Sequence, residues 1–213
     1  MKSKFSINEA FRFGWATFKK YFWFLLAILL VLFIVSSISG YANRGAERAP
    51  ALAGLINLAA AAIGIIIQMG IIKISLKFVD KEKPTFDDLF SQYKLFWRYL
   101  GATLLYALVI LGGLILLVVP GIIWALKFQY SRYLIIDKNM SIMESLKKSG
   151  EITEGAKWDL FLFWLLIIGV SIVGALAFGV GLIVAVPVTM LAQAFVYREL
   201  FKRAHQVAHA AAN

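Results

Sequence analysis

"WDLFLFWLLIIGVSIVGALAFGVGLIVAVPVTMLAQAFVYR", residues 158–198, is the stretch that decides the fold. Between Asp159 and Arg198 it contains no charged side chain. A helix needs about 20 apolar residues to cross the ~30 Å hydrocarbon layer of a bilayer. The stretch is long enough to cross twice, and its one interruption is "AFGVG" (177–181), which suits a tight turn. It therefore reads as a transmembrane hairpin, with spans at 158–177 and 180–198.

Working outward, four more apolar runs lie at about 21–39, 51–77, 96–119 and 121–136. The fourth is short and carries Lys127, so a re-entrant or strongly tilted segment is the alternative to a crossing there. Of the 213 residues, 61% are hydrophobic, against about 45–50% in a soluble domain. A bilayer can cover that surface where a soluble core cannot. The expected fold is all-α, a polytopic membrane protein of six transmembrane helices arranged as three hairpins. One membrane domain is expected over 1–203, in units of about 5–80, 84–138 and 140–203, with a polar tail at 204–213. The opening "MKSKFSINEAFRFGW" is too polar for a removable signal peptide, so the first apolar run is expected to remain as an anchor. The absence of cysteine excludes disulfides and thiolate metal sites.

Charge orients these spans. With six crossings, all but Arg44 and Arg48 of the 22 basic residues fall on one side. That asymmetry is the positive-inside pattern and places both termini in the cytoplasm, the membrane being the bacterial inner membrane. The bases sit at span ends and not on one soluble face, which argues against a nucleic-acid partner.

A polar punctuation recurs three times. "FSINEAF" (5–11), "PTFDDLF" (84–90) and "MSIMESL" (140–146) each carry a hydroxyl residue three positions before an acid. Ser6 with Glu9, Thr85 with Asp88 and Ser141 with Glu144 have the spacing of a capping box, in which the hydroxyl accepts from the first helical turn and the acid reaches back. Each opens a stretch rich in aromatic and basic residues, expected to form an amphipathic interfacial helix ahead of its hairpin. The returning spans also repeat. From Pro120 and from Pro187, F-x-Y follows eight residues on, as Phe128/Tyr130 and Phe195/Tyr197, with Arg132 or Arg198 close behind. Asp-Lys closes two units, in "VDKEKPT" (79–85) and "IDKNMS" (136–141). Recurrence in one relation to a hairpin marks an internal repeat.

On the unit "SINEAFRFGWATFKKYFW", the loop "KPTFDDLF", the turn "VVPGIIWALKF" and "YLIIDKNMSIMESLKKSGEITEGAKWDLF", the chain resembles the YciC-like group of bacterial integral membrane proteins. It is also similar to the membrane domain attached to some glycerophosphodiester phosphodiesterases. The resemblance covers about residues 5–200 and implies a multi-helix inner-membrane protein with no established reaction. The phosphodiesterase relatives carry their chemistry in a separate soluble barrel that this sequence lacks, so that activity does not carry over.

Residues suited to chemistry are few. "HQVAH" (205–209) has the histidine spacing of a zinc helix, but Gln206 stands where the general base would be and no third ligand is evident. Asp87 and Asp88 are adjacent, and Asp88 already has a capping role. No P-loop or G-x-S-x-G motif occurs. The expectation is no enzyme, no metal and no cofactor. Small residues such as Gly64, Gly112, Gly113, Gly169, Gly174, Gly179 and Gly181 read as points of close helix approach. Polar residues of the even-numbered spans, absent from the odd ones, suggest that spans two, four and six face one another.

Lys127 lies seven residues beyond Pro120, about 10 Å along a helix. There it either faces the bundle and attracts an anionic group or snorkels to the cytoplasmic side. Gln68, Gln193, Tyr130 and Ser131 are its expected companions in a ligand site. The expected partners are membrane lipids, anionic ones included, and a membrane or cytoplasmic protein. Two functions fit: a non-enzymatic membrane module acting at the cytoplasmic face, or a transporter or transporter subunit for a small anionic or lipid-like substrate.

Overall fold

The computed structural model describes residues 4–44, 46–47, 49–176 and 179–212, with side chains through 207. Lys2, Arg48, the turn residues 177–178 and the side chain of His209 lie outside the described residues. Among those described there is no strand. The helices are α1 (Ile7–Lys20), α2 (Phe22–Arg44), α3 (Pro50–Val79), α4 (Phe96–Leu116), α5 (Val118–Phe128), α6 (Ser131–Lys138), α7 (Ile142–Ile152), α8 (Lys157–Leu176) and α9 (Leu182–Ala212). Five helical segments are long and apolar enough to cross a membrane: α2, α3, Phe86–Leu116, α8 and Leu182–Val207. α9 runs on through residues 204–212, ending at Ala212.

The run 121–136 is not one helix. α5 ends at Phe128 and α6 begins at Ser131. Even so, the two together retrace α4. Gly113 meets Gly121, the Tyr106 hydroxyl donates to the Ala125 carbonyl at 3.0 Å, and Arg98 donates to the Asn139 carbonyl at 3.1 Å. These contacts run from the last turn of α4 to its first. The break itself is closed by α7. The Ser149 hydroxyl donates to the Lys127 carbonyl at 2.9 Å and accepts from the Tyr130 N–H at 3.2 Å, while the Thr153 hydroxyl reaches the same carbonyl at 3.2 Å. Ser149 and Thr153 are fully buried, so the freed backbone groups are satisfied inside the protein, as buried backbone requires.

The three caps form three different starts. Ser6 Oγ accepts from the Glu9 N–H at 3.2 Å and opens α1. Ser141 and Glu144 make the full reciprocal box that opens α7. The Thr85 start departs from expectation, for Phe86–Leu89 and Tyr93–Leu95 are short 3₁₀ turns and not an amphipathic α-helix. Lys77 of α3 holds the Asp88 carboxylate at 2.7 and 2.9 Å, and the Leu89 backbone is seated on Gly70. Both contacts pin the segment to α3 before a regular turn can propagate. Nor does α1 merely lie on a membrane surface. Its buried face of Ala10, Gly14 and Phe18 packs on α9, where Gly14 leaves room for the Val188 carbonyl.

Burial divides the bundle. Half of the most apolar window of α9 is buried and 28% of that of α3, against 17% or less for α2, the segment 86–116 and α8. Buried side chains of α3, α6 and α9 supply most of the core. Two hairpins close on paired glycines, Gly113 against Gly121 and Gly174 against Gly181. Gly64, Gly112 and Gly169 have open space where a Cβ would stand. Gly113→Ala should therefore destabilise by ~1–3 kcal/mol through overpacking, and Gly112→Ala should not. Thermal midpoints of the two variants in one detergent check this.

Candidate functional site

The returning helices meet at one end of the bundle. Asp80 caps α3, Asp137 lies in the last turn of α6, and Arg198 projects from α9 between them. Arg198 donates to Asp80 through Nε at 3.0 Å and Nη2 at 2.6 Å, and to Asp137 through Nη1 at 2.6 Å and Nη2 at 2.8 Å. The Tyr197 hydroxyl adds a bond to Asp137 at 2.9 Å. Just beyond the two aspartates the chain turns through Lys81 and Asn139, the only non-glycine residues with positive φ among those described. Arg98 also fixes Asn139 through its side-chain oxygen at 2.8 Å. One guanidinium thus joins the ends of α3 and α6 to α9. The recurring Asp-Lys pairs were the sequence signal for it, but spacing alone did not show what they bind.

Beside this clamp is a cavity of about 150 Å³ between α4, α5, α6, α8 and α9. Its polar lining comprises Tyr106, Gln129, Tyr130, Arg132, Tyr133 and Gln193, and Trp164 forms part of its wall. Arg132 lies over the Tyr106 ring, 5.5 Å from the centroid. The Tyr130 hydroxyl is buried and has no hydrogen-bond partner.

The expected ligand residues separate. Gln193 and Tyr130 reach this cavity. Ser131 is fully buried and its hydroxyl donates to the Phe128 carbonyl at 2.9 Å, the usual back-bond of a helix serine. Gln68 is exposed on α3. Lys127 sits over the Phe128 ring at 5.3 Å, in a groove shared with Lys147, Gly150, Glu151, Glu154 and Lys157. The groove brings two acids, Glu151 and Glu154, beside Lys127. Arg132 was passed over as a span-end anchor. The helix break at Gln129–Tyr130 decides which base faces inward, and residue spacing does not reveal that break. Of the histidine pair, the His205 ring packs on Phe201 at 4.8 Å between centroids.

Residues 106–204 match a family model described as a protein of unknown function (DUF975). The match bears out the resemblance to the YciC-like group over that stretch, which contains every residue of the cavity lining. The chain is 29% identical over 139 residues to the uncharacterized protein Mb2590 of Mycobacterium bovis, covering 65% of this chain and 42% of that protein. It is 28% identical over the same length to the uncharacterized protein Rv2560 of Mycobacterium tuberculosis. The chain thus spans about two fifths of the length of these curated relatives. No solved structure matches.

Asp137 is held below the usual carboxylate range. Burial pushes its pKa up, but the Arg198 hydrogen bonds and charge, with Tyr197 and Lys138, outweigh that. A carboxylate whose pKa is lowered by folding stabilises the fold above its unfolded value of about 4, and this is lost as pH falls through the lower, folded value. The thermal midpoint should therefore hold between about pH 7 and 5 and drop at more acidic pH. Asp137→Asn should cost ~3–5 kcal/mol at neutral pH, the range for breaking a buried pair, and should flatten that acid limb. Thermal melts across pH check both.

Proposed function

We propose that the chain is a non-enzymatic membrane module of six crossings, with α5 and α6 together making the fourth. In this reading it resides in the bacterial inner membrane with both termini cytoplasmic, and engages lipids or a protein partner on that side. One observation carries it: the folded polar material is gathered at the clamp end of the bundle. The Lys77–Asp88 pair, α7 with its capping box, the Arg98–Asn139 contact and the Lys4 N–H bonded to Asp159 at 2.8 Å all lie there. At the other end α4 passes to α5 through Leu117 alone, and α8 reaches α9 through residues 177–181. Lysines and arginines concentrated at one level favour the anionic cytoplasmic leaflet.

The cavity favours a second reading, a transporter or transporter subunit for a small anionic or lipid-like substrate. Alternating access by rocking of repeats would have to part the ends of α3, α6 and α9, and the Arg198 clamp opposes that.

Topology is tested by single cysteines and an impermeant thiol reagent in intact cells. Lys83→Cys and Asn139→Cys should be shielded and Asn43→Cys labelled. Labelling of Asn139→Cys from outside would end the six-crossing reading. For function, gently extracted protein should hold anionic lipid or a stoichiometric partner, and proteoliposomes should show no solute flux. A flux without either companion would favour the transporter.

A further inference from the structure

We propose that the cavity at Arg132 is a binding site for a single phosphate-type oxyanion, presented either by a lipid headgroup or as the free ion. The argument begins with charge. The ion pairs among the described residues engage Lys77, Lys138, Lys148, Arg198 and Lys202. Arg132 has no carboxylate within ion-pair distance, and no acidic residue lines the cavity. A guanidinium cannot shed its proton, so its charge there calls for an anion.

Counting hydrogen-bond groups gives the same sign. The Tyr106 hydroxyl is committed to the Ala125 carbonyl, and the Tyr133 hydroxyl points to Gln193 Oε1 at 3.5 Å. The Gln129 amide N–H donates to the Leu126 carbonyl at 3.1 Å. The Arg132 fork bonds the Tyr99 hydroxyl and keeps further N–H donors, and the Tyr130 hydroxyl has no partner. Such a donor-rich lining suits oxygen acceptors carrying negative charge, for which the planar fork of arginine is well matched.

Size narrows the ligand. About 150 Å³ is the liquid volume of about five waters at ~30 Å³ each. That holds a phosphate group, whereas whole drug-sized solutes occupy pockets of ~300–1,000 Å³. Trp164 in the wall is 46% exposed, so a headgroup can enter while its acyl chains remain in the bilayer. The site needs only the cavity as it stands and holds under either reading of overall function.

The test uses the full chain in nanodiscs. Phosphatidylglycerol retained from mixed phosphatidylcholine and phosphatidylglycerol discs is counted by native mass spectrometry. Inorganic phosphate binding is read as a rise in thermal midpoint in phosphatidylcholine discs. The first response identifies a headgroup ligand, the second a free ion, and either supports the site. Arg132→Gln should weaken that binding ~10- to 100-fold, the worth of a charge-assisted bond, and Arg132→Lys less. Tyr130→Phe keeps the test valid should Arg132→Gln fail to fold. It should weaken binding while raising the midpoint of the ligand-free protein, because it removes an unpaired buried hydroxyl. Lys127→Gln should bind like wild type. The proposal is overturned if wild type binds neither probe, if folded Arg132→Gln and Tyr130→Phe bind like wild type, or if Lys127→Gln loses binding as fully as Arg132→Gln.

Discussion

The architecture depends on one guanidinium that reaches two carboxylates on different helices. Arg198 donates to Asp80 and Asp137 at 2.6–3.0 Å, and its side chain is only 12% exposed. Each contact ties α9 to the end of another helix, α3 or α6. Apolar side chains alone give membrane helices little reason to choose one neighbour over lipid. A fork with two fixed acceptors does supply that choice, and it sets the register of α3, α6 and α9 together. The aromatic stack Tyr130, Tyr133 and Tyr197, with ring centroids 5.3–5.8 Å apart, then fills the space behind it.

A second constraint follows from the medium. A helix break at membrane depth exposes backbone groups that lipid cannot bond. The break at Gln129–Tyr130 is tolerated because Ser149 serves as acceptor and donor at once, with Thr153 beside it. α7 is therefore more than an amphipathic helix riding at the interface. Its buried polar face completes the backbone between α5 and α6, and Gly150 lets Lys127 pass close by. The clamp and the break act on the same short helix, since α6 begins at one and carries Asp137 near its other end.

Much of this fold was legible in the sequence, and the reasons are physical. Apolar length follows from bilayer thickness, so the five long spans stand out. Capping spacing follows from helix geometry, so the starts at Ser6 and Ser141 could be read directly. Of the polar residues expected between spans, Gln193 does face inward to the cavity, whereas Gln68 is exposed and Asn57 bonds Asn43 of α2. The 3₁₀ turns at 86–95 were hidden because they arise from long-range contacts, Asp88 to Lys77 and Leu89 to Gly70. The different facing of Lys127 and Arg132 was hidden for a related reason. Facing is counted at a constant angle per residue, and a break that depends on α7 resets the count between Lys127 and Arg132.

A shared sequence pattern allows a comparison of two arginines. Arg132 and Arg198 follow the same F-x-Y pattern in successive returning helices. Arg198 stands directly after Tyr197 and reaches Asp137 and Asp80. One residue more separates Arg132 from Tyr130, and it turns beside Tyr99 and Tyr106, where no carboxylate waits. Helical rotation of about 100° per residue is enough to send the two guanidiniums to different neighbours. The same sequence pattern thus serves cohesion at Arg198, where the protein supplies the anion. At Arg132 the cation is left facing a cavity, and the anion has to come from outside the chain.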